Sequence, residues 1–252
     1  MFASNSTLYF QNLSPTLCPC PIPKTWTRGV QVLGYNYKME LYHVLNRGVD
    51  KRAVVLDDED RVRFLHDLFV FNDREPALNF DLPARRDQTV SRKLLVLLHA
   101  FCLMDNHYHL LLSEAQEKGI PLFIQKLNMG YAKYFNKKYE RSGVLWQGPS
   151  KKILIKRDAH FLYLPYYIHL NPLDYSHPEW RQGGVKEPEK ALRYLREYRW
   201  SSHLDYLGEK NFPSLTEREF LASIIGTRER YKKEIASIIT NSELAAGNTT
   251  IE

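Results

Sequence analysis

Two histidines one residue apart, His107 and His109, and a tyrosine and asparagine four apart, Tyr167 and Asn171, are the side chains here whose types and spacing suit chemistry. A strand sends alternate side chains to one face, so His107-Tyr108-His109 in a strand brings two imidazoles together and turns Tyr108, Leu110 and Leu112 the other way. Such a pair either ligates a divalent metal, with water, carboxylate or amide oxygens completing the shell, or is a surface or hydrogen-bonded structural pair. On a helix, residues four apart share a face, and Tyr167 and Asn171 then present a phenol and an amide oxygen to one site. The alternative is a core aromatic and a helix-terminal residue before Pro172.

The elements that must hold these groups are legible from periodicity. Glu40 to Asn46 alternates as a strand, and Asp57-Asp58 caps a helix with Val62, Leu65, Leu68 and Phe69 on its apolar face. Leu94 to Met104 is a nearly continuous apolar run broken at His99, as a buried central strand is. Asp105-Asn106 is a turn, and Tyr108 to Leu112 returns as the second strand of a hairpin. A helix follows from about Pro121 to Tyr139, with Phe123, Leu127, Tyr131 and Phe135 on one side. A loop and strand span Gly143 to Ile155, and a helix capped by Asp158 runs to Leu170, stopping before Pro172. Pro165 inside that helix removes one backbone hydrogen bond and predicts a bend near Tyr167. Further helices are expected over 189–198 and 216–239, the latter broken at Gly226.

Strands separated by helices in this order predict an α+β fold, an antiparallel sheet with helices packed on one face. Residues 1–38, rich in Pro, Ser, Thr and Asn, read as a poorly ordered leader or tag-like segment. Residues 39–175 form the expected α+β domain, and 176–252 a helical C-terminal extension.

The 252 residues are 44% hydrophobic and 25% charged, with no run of about 18 apolar residues and no signal pattern at the N-terminus. We therefore expect a soluble intracellular protein with no membrane partner. Three cysteines cannot build a disulfide framework or a four-cysteine zinc site. The net charge of +6 is uneven: Lys118 to Arg157 holds ten basic residues against the single acid Glu140, so it carries +9 and the remainder −3. Tyr131, Tyr134, Phe135, Tyr139 and Trp146 interleave with these lysines, a mixture suited either to phosphates and unstacked bases or to a solvated face over an aromatic core.

Taken together, the chain resembles the HUH single-tyrosine transposases of IS200 type, and among them the REP-associated branch. The likeness rests on Tyr42-His43-Val44-Leu45-Asn46-Arg47-Gly48, on Met104 to Leu112 with its His107-Tyr108-His109, and on Tyr134-Phe135-Asn136. It continues through Gly143 to Gly148, Tyr167-Ile168-His169-Leu170-Asn171-Pro172 and Tyr198-Arg199-Trp200-Ser201-Ser202, in the family's order over about 160 residues. After Gly148 the chain has Pro149 and Ser150, where relatives carry an arginine and an aromatic residue.

The resemblance implies a ferredoxin-like catalytic domain in which His107 and His109 bind Mg²⁺ or Mn²⁺, Asn171 completes the metal shell and Tyr167 is the nucleophile. It implies cleavage and rejoining of single-stranded or hairpin DNA through a 5′-phosphotyrosine, by a monomer or homodimer. The DNA contacts expected are Lys151, Lys152, Lys156 and Arg157, with Lys133, Lys137 and Arg47, and His43 and Asn46 are expected to line the site. Two other readings compete: a hairpin-DNA or RNA binder that has lost cleavage, and an unrelated His-x-His metal hydrolase.

Overall fold

The computed structural model describes residues 30–32, 35–37, 39–75, 92–156 and 158–241. Most of the expected leader, the centre of the polar connection after residue 75, and Arg157 lie outside them. The side chain of Asp158 is likewise outside, so its capping role is not described.

A short hairpin, β1 (Val30–Val32) with β2 (Tyr35–Tyr37), precedes the main sheet. The core then reads β3 (Leu41–Arg47), α1 (Asp58–Val70), β4 (Val96–Leu103), β5 (His107–Glu114), α2 (Gly119–Lys138) and β6 (Lys151–Leu154). The strands order as β4-β5-β3-β6 with every neighbouring pair antiparallel. This is the βαββαβ arrangement of the ferredoxin-like fold. α3 (Asp158–Leu170) follows, and then the extension: two 3₁₀ turns (Asn171–Tyr175 and Pro178–Gln182), α4 (Pro188–Glu197), α5 (His203–Tyr206), α6 (Glu219–Ile225) and α7 (Arg228–Thr240).

Local chemistry explains the boundaries. Asp57 accepts from the Asp60 amide at the start of α1, as the sequence predicts. Asp105 and Asn106 make the tight link between β4 and β5, with Met104 N–H donating to His107 O. His99, the polar break in the apolar run, sits at a register shift between Leu98 and Ala100, so the break is a β-bulge. Its ring meets Ser113 Oγ at 2.8 Å. α6 ends at Gly226, whose φ of 85° is left-handed, so the expected long helix is two.

The alternation of β5 sorts two cores. Tyr108, Leu110 and Leu112 join Val44, Phe101 and Leu103 against α1 and α2, packing on Phe64, Leu68, Phe123, Leu127 and Tyr131. Those two helices cover one face, as anticipated. Leu111, Leu41, Ala100 and Cys102 point the opposite way, into a second core with Phe161, Leu164, Tyr167, Trp180, Leu221 and Ile235. The extension therefore shares one core with α3 on this second face. The β4 edge is also covered, by a bridge from Cys102 to Ser201 and a bond from Leu103 N–H to Trp200 O, whereas β6 remains an edge strand with Lys151, Lys152 and Ile153 exposed.

Candidate active site

Residues opposite one another in an antiparallel ladder share a face, so the register decides what surrounds the histidines. Arg47 lies opposite His107, Leu45 opposite His109, and His43 opposite Leu111. His43, Arg47, His107 and His109 thus share the sheet face that α3 covers. His43 Nε2 and His109 Nδ1 are 2.9 Å apart with rings stacked at 5.1 Å, and the His107 ring stands edge-on to His109 at 4.9 Å. His107 Nδ1 meets Asn106 Oδ1 at 2.6 Å.

Tyr167 descends from α3 onto this pair. It is completely buried, and its ring meets those of His109 and His43 edge-on at 5.8 and 6.2 Å. Of the three tyrosines on this helix, Tyr166 stacks instead on Tyr231, while Tyr163 contacts Tyr167 at 6.4 Å. Pro165 does not carry Tyr167 away from the imidazoles.

His109 suits a ligand role. With Nδ1 engaged by His43, its Nε2 is buried and has no hydrogen-bond partner among the described residues. Burial, reinforced by His43, His107, Arg181 and Arg47, pushes its pKa well below the usual histidine value. The ring is thus neutral near pH 7, the state that can donate a lone pair to a cation. Among the described residues no group of three or more His, Cys, Asp or Glu is placed to hold a metal.

Asn171 lies on the same helical face as Tyr167, as expected, but is otherwise engaged. It is buried, its Nδ2 donates to Tyr167 O at 2.8 Å, and its Oδ1 accepts from Arg181 Nη2 at 3.3 Å. The amide oxygen expected in a metal shell faces a guanidinium.

Arg181, which sequence reasoning missed, organises this corner. Its Nη1 donates to Tyr167 Oη at 3.3 Å and its carbon lies 5.3 Å from the centre of the Tyr167 ring. Asp174 holds it with two bonds, Nε to Oδ1 at 3.0 Å and Nη2 to Oδ2 at 2.7 Å, and Oδ1 also accepts from Trp180 Nε1 at 2.8 Å. Burial alone would lower the Arg181 pKa, but the bonds to Asp174 and Tyr167 outweigh it and raise the value above normal, so the cation is permanent. Asp174 and Arg181 sit in consecutive 3₁₀ turns that carry no period to betray them.

Other expected residues divide by face. Asn46 lies opposite Tyr108 and points toward the α1–α2 side, where it donates to Gly148 O and Ser150 Oγ; it does not line the histidine site because its strand position has the wrong parity. Ser150 also meets Tyr108 Oη at 3.2 Å and Asn128 Nδ2 at 2.8 Å, so the residue that replaces the family's usual aromatic ties the start of β6 to the sheet and α2. Lys133 and Lys137 are exposed on α2, across the sheet from Tyr167. Lys152 lies opposite Val44 on that far face, 4.8 Å over the Tyr42 ring, whereas Lys151 lies opposite Leu45 on the histidine face. Lys156 is exposed between β6 and α3. Part of the basic segment is neutralised locally: Lys138 pairs with Asp57, Glu59 and Asp60 at the start of α1.

A strand-borne imidazole pair beneath a helix-borne tyrosine, on a ferredoxin-like sheet, is the architecture the resemblance implied. A model described as "Transposase IS200 like" matches residues 65–169, a stretch that holds His107, His109 and Tyr167 and ends before Asn171 and Arg181. Over that stretch the chain is similar to the IS200-like transposases. A solved structure of a REP-associated tyrosine transposase bound to a REP hairpin is similar at 11% identity and a TM-score of 0.42, covering 71% of this chain and 86% of that one. No curated protein matches the sequence. Among the described residues no helix is long and apolar enough to cross a membrane.

Proposed function

We propose that the protein is a metal-dependent strand transferase of the REP-associated kind, cutting and rejoining single-stranded DNA near a hairpin with Tyr167 as nucleophile. The observation that carries this reading is the placement of the Tyr167 phenol between the His43–His109 pair and the Arg181 guanidinium. A phenol is mostly protonated at neutral pH and needs electrostatic help to attack a phosphodiester.

In this reading Tyr167 Oη forms a bond to phosphorus as the bond from phosphorus to the 3′-oxygen breaks. The phenol proton ends on that departing oxygen, leaving a 5′-phosphotyrosine and a free 3′-hydroxyl. Attack by another 3′-hydroxyl reverses the exchange and rejoins strands, so no nucleotide cofactor is required. Arg181 stabilises the negative charge on the attacking oxygen and on the phosphate it joins, and Asp174 keeps the guanidinium aimed. His107 and His109 would hold Mg²⁺ or Mn²⁺, the buried unpartnered Nε2 of His109 and its neutral ring fitting that role. Such an ion, when bound, polarises a nonbridging phosphate oxygen. His43 fixes the tautomer and orientation of His109.

The strand approaches across the open β6 edge, because the β4 edge is closed by Trp200 to Ser202. Lys151, Arg47 and Lys156 are then the contacts nearest the phenol's side of the sheet, and Lys133, Lys137 and Lys152 serve a stem that wraps the other face.

The test is a labelled hairpin oligonucleotide incubated with Mn²⁺ and resolved on a denaturing gel. Wild type forms a covalent adduct, Tyr167→Phe forms none, and His107→Ala loses the adduct while keeping hairpin binding. An adduct that persists in Tyr167→Phe refutes the assignment of the nucleophile.

A further inference from the structure

Pro165 has no N–H, so α3 lacks the bond that would reach back to residue 161, and the half of the helix that carries Tyr167 is held less firmly by its own ladder. Something else must fix it, and the structure supplies a buried chain of side chains. His169, two residues beyond Tyr167, has both ring nitrogens occupied: Nε2 meets Ser202 Oγ at 2.7 Å, and Nδ1 meets Tyr231 Oη at 2.7 Å. Tyr231 Oη in turn meets His203 Nδ1 at 2.9 Å. Ser202 Oγ accepts from Phe101 N–H at 3.0 Å and reaches Phe101 O at 3.3 Å, anchoring the chain on β4.

One placement of protons satisfies every member. His203 Nδ1–H donates to Tyr231, whose hydroxyl donates to His169 Nδ1; His169 Nε2–H donates to Ser202, whose hydroxyl donates to Phe101 O. Each hydrogen is used once, and Ser202 Oγ fills both lone pairs. The Tyr231 ring also stacks on Tyr166 at 5.5 Å and 22°, so this residue of α7 grips α3 on both sides of Tyr167.

We propose that Tyr231 is a positioning residue: through His169 and Tyr166 it clamps the tyrosine helix between the sheet and α7, so that the C-terminal extension sets where the nucleophile lies. The catalytic consequence rests on the strand-transfer reading above. The clamp itself does not.

The experiment compares full-length wild type with Tyr231→Phe, which keeps the ring and deletes the hydroxyl, and with Ser202→Ala, which cuts the other end of the chain. Ile235→Val, in the same core but outside the chain, serves as the control for simple loss of packing. Amide hydrogen exchange over residues 166–170 is expected to quicken about tenfold in Tyr231→Phe and Ser202→Ala but not in Ile235→Val. The single-turnover rate of adduct formation falls by a similar ~10-fold factor, with hairpin affinity unchanged, since a small misplacement of reacting atoms slows chemistry without weakening binding. Unchanged exchange in Tyr231→Phe relative to Ile235→Val overturns the clamp, and altered exchange with an adduct rate within twofold of wild type overturns its catalytic role. If wild type forms no adduct, the strand-transfer reading falls, and the exchange measurement alone still decides the clamp.

Discussion

Arg181→Ala tests the electrostatics of the site most directly. In the structure Nη1 lies 3.3 Å from Tyr167 Oη. Two full charges at that distance interact by about 5 kcal/mol at an effective dielectric near 20. The attacking oxygen develops only part of a charge, and the Arg181 side chain is 32% exposed, so about 3 kcal/mol is the reasonable share. That corresponds to a fall of about 10²-fold in the single-turnover rate of phosphotyrosine formation. The partly exposed ion pair with Asp174 contributes roughly 1 kcal/mol to folding, so the variant remains folded and urea unfolding shows only a small loss. Arg181→Lys keeps the charge but not the fork that Asp174 holds at two points, and falls between the two. A rate for Arg181→Ala within threefold of wild type, in protein that unfolds normally, refutes the argument.

Two further outcomes follow from particular bonds. Burial lowers the His203 pKa from 6.5 to about 4, so the unfolded chain binds a proton in that interval that the folded chain refuses. Stability is therefore full above about pH 6.5 and declines as the pH falls toward 4, by up to about 3 kcal/mol from this residue; urea midpoints taken at pH 7, 5.5 and 4.5 read the loss, and a flat series contradicts it. Ser150→Ala strands Asn128 Nδ2 and removes contacts to Asn46 and Tyr108, which costs about 2 kcal/mol, measured by urea unfolding; a change under 0.5 kcal/mol, on the order expected of an ordinary surface site, shows the node to be unimportant.

The sheet and its helices were legible because period two and period 3.6 leave direct marks. Tyr108, Leu110 and Leu112 alternate with His107, His109 and Leu111, and the structure puts the two sets on opposite faces. Which set would meet α3 was not legible, since that depends on how the chain returns after β6. The shared motif misled the reading of Asn46, which strand parity puts one residue from the histidine face. Charge counting could not show that Lys138 answers three carboxylates on α1, or that Lys133 and Lys137 stand across the sheet from Tyr167. Arg181 was hidden for a different reason. Its approach to Tyr167 is made by two short 3₁₀ turns around Pro172 and Pro178, and their path follows from tertiary packing rather than from any repeat.

The complete burial of Tyr167 bears on when the proposed cleavage could begin. Its oxygen is shut beneath the turn that carries Trp180 and Arg181, and that turn is latched by Asp174. As the structure stands, the proposed nucleophile is withheld from passing strands. In the proposed reaction a strand meets the phenol only if this turn shifts with its Asp174–Arg181 pair intact, which would make recognition the safety catch of the cut.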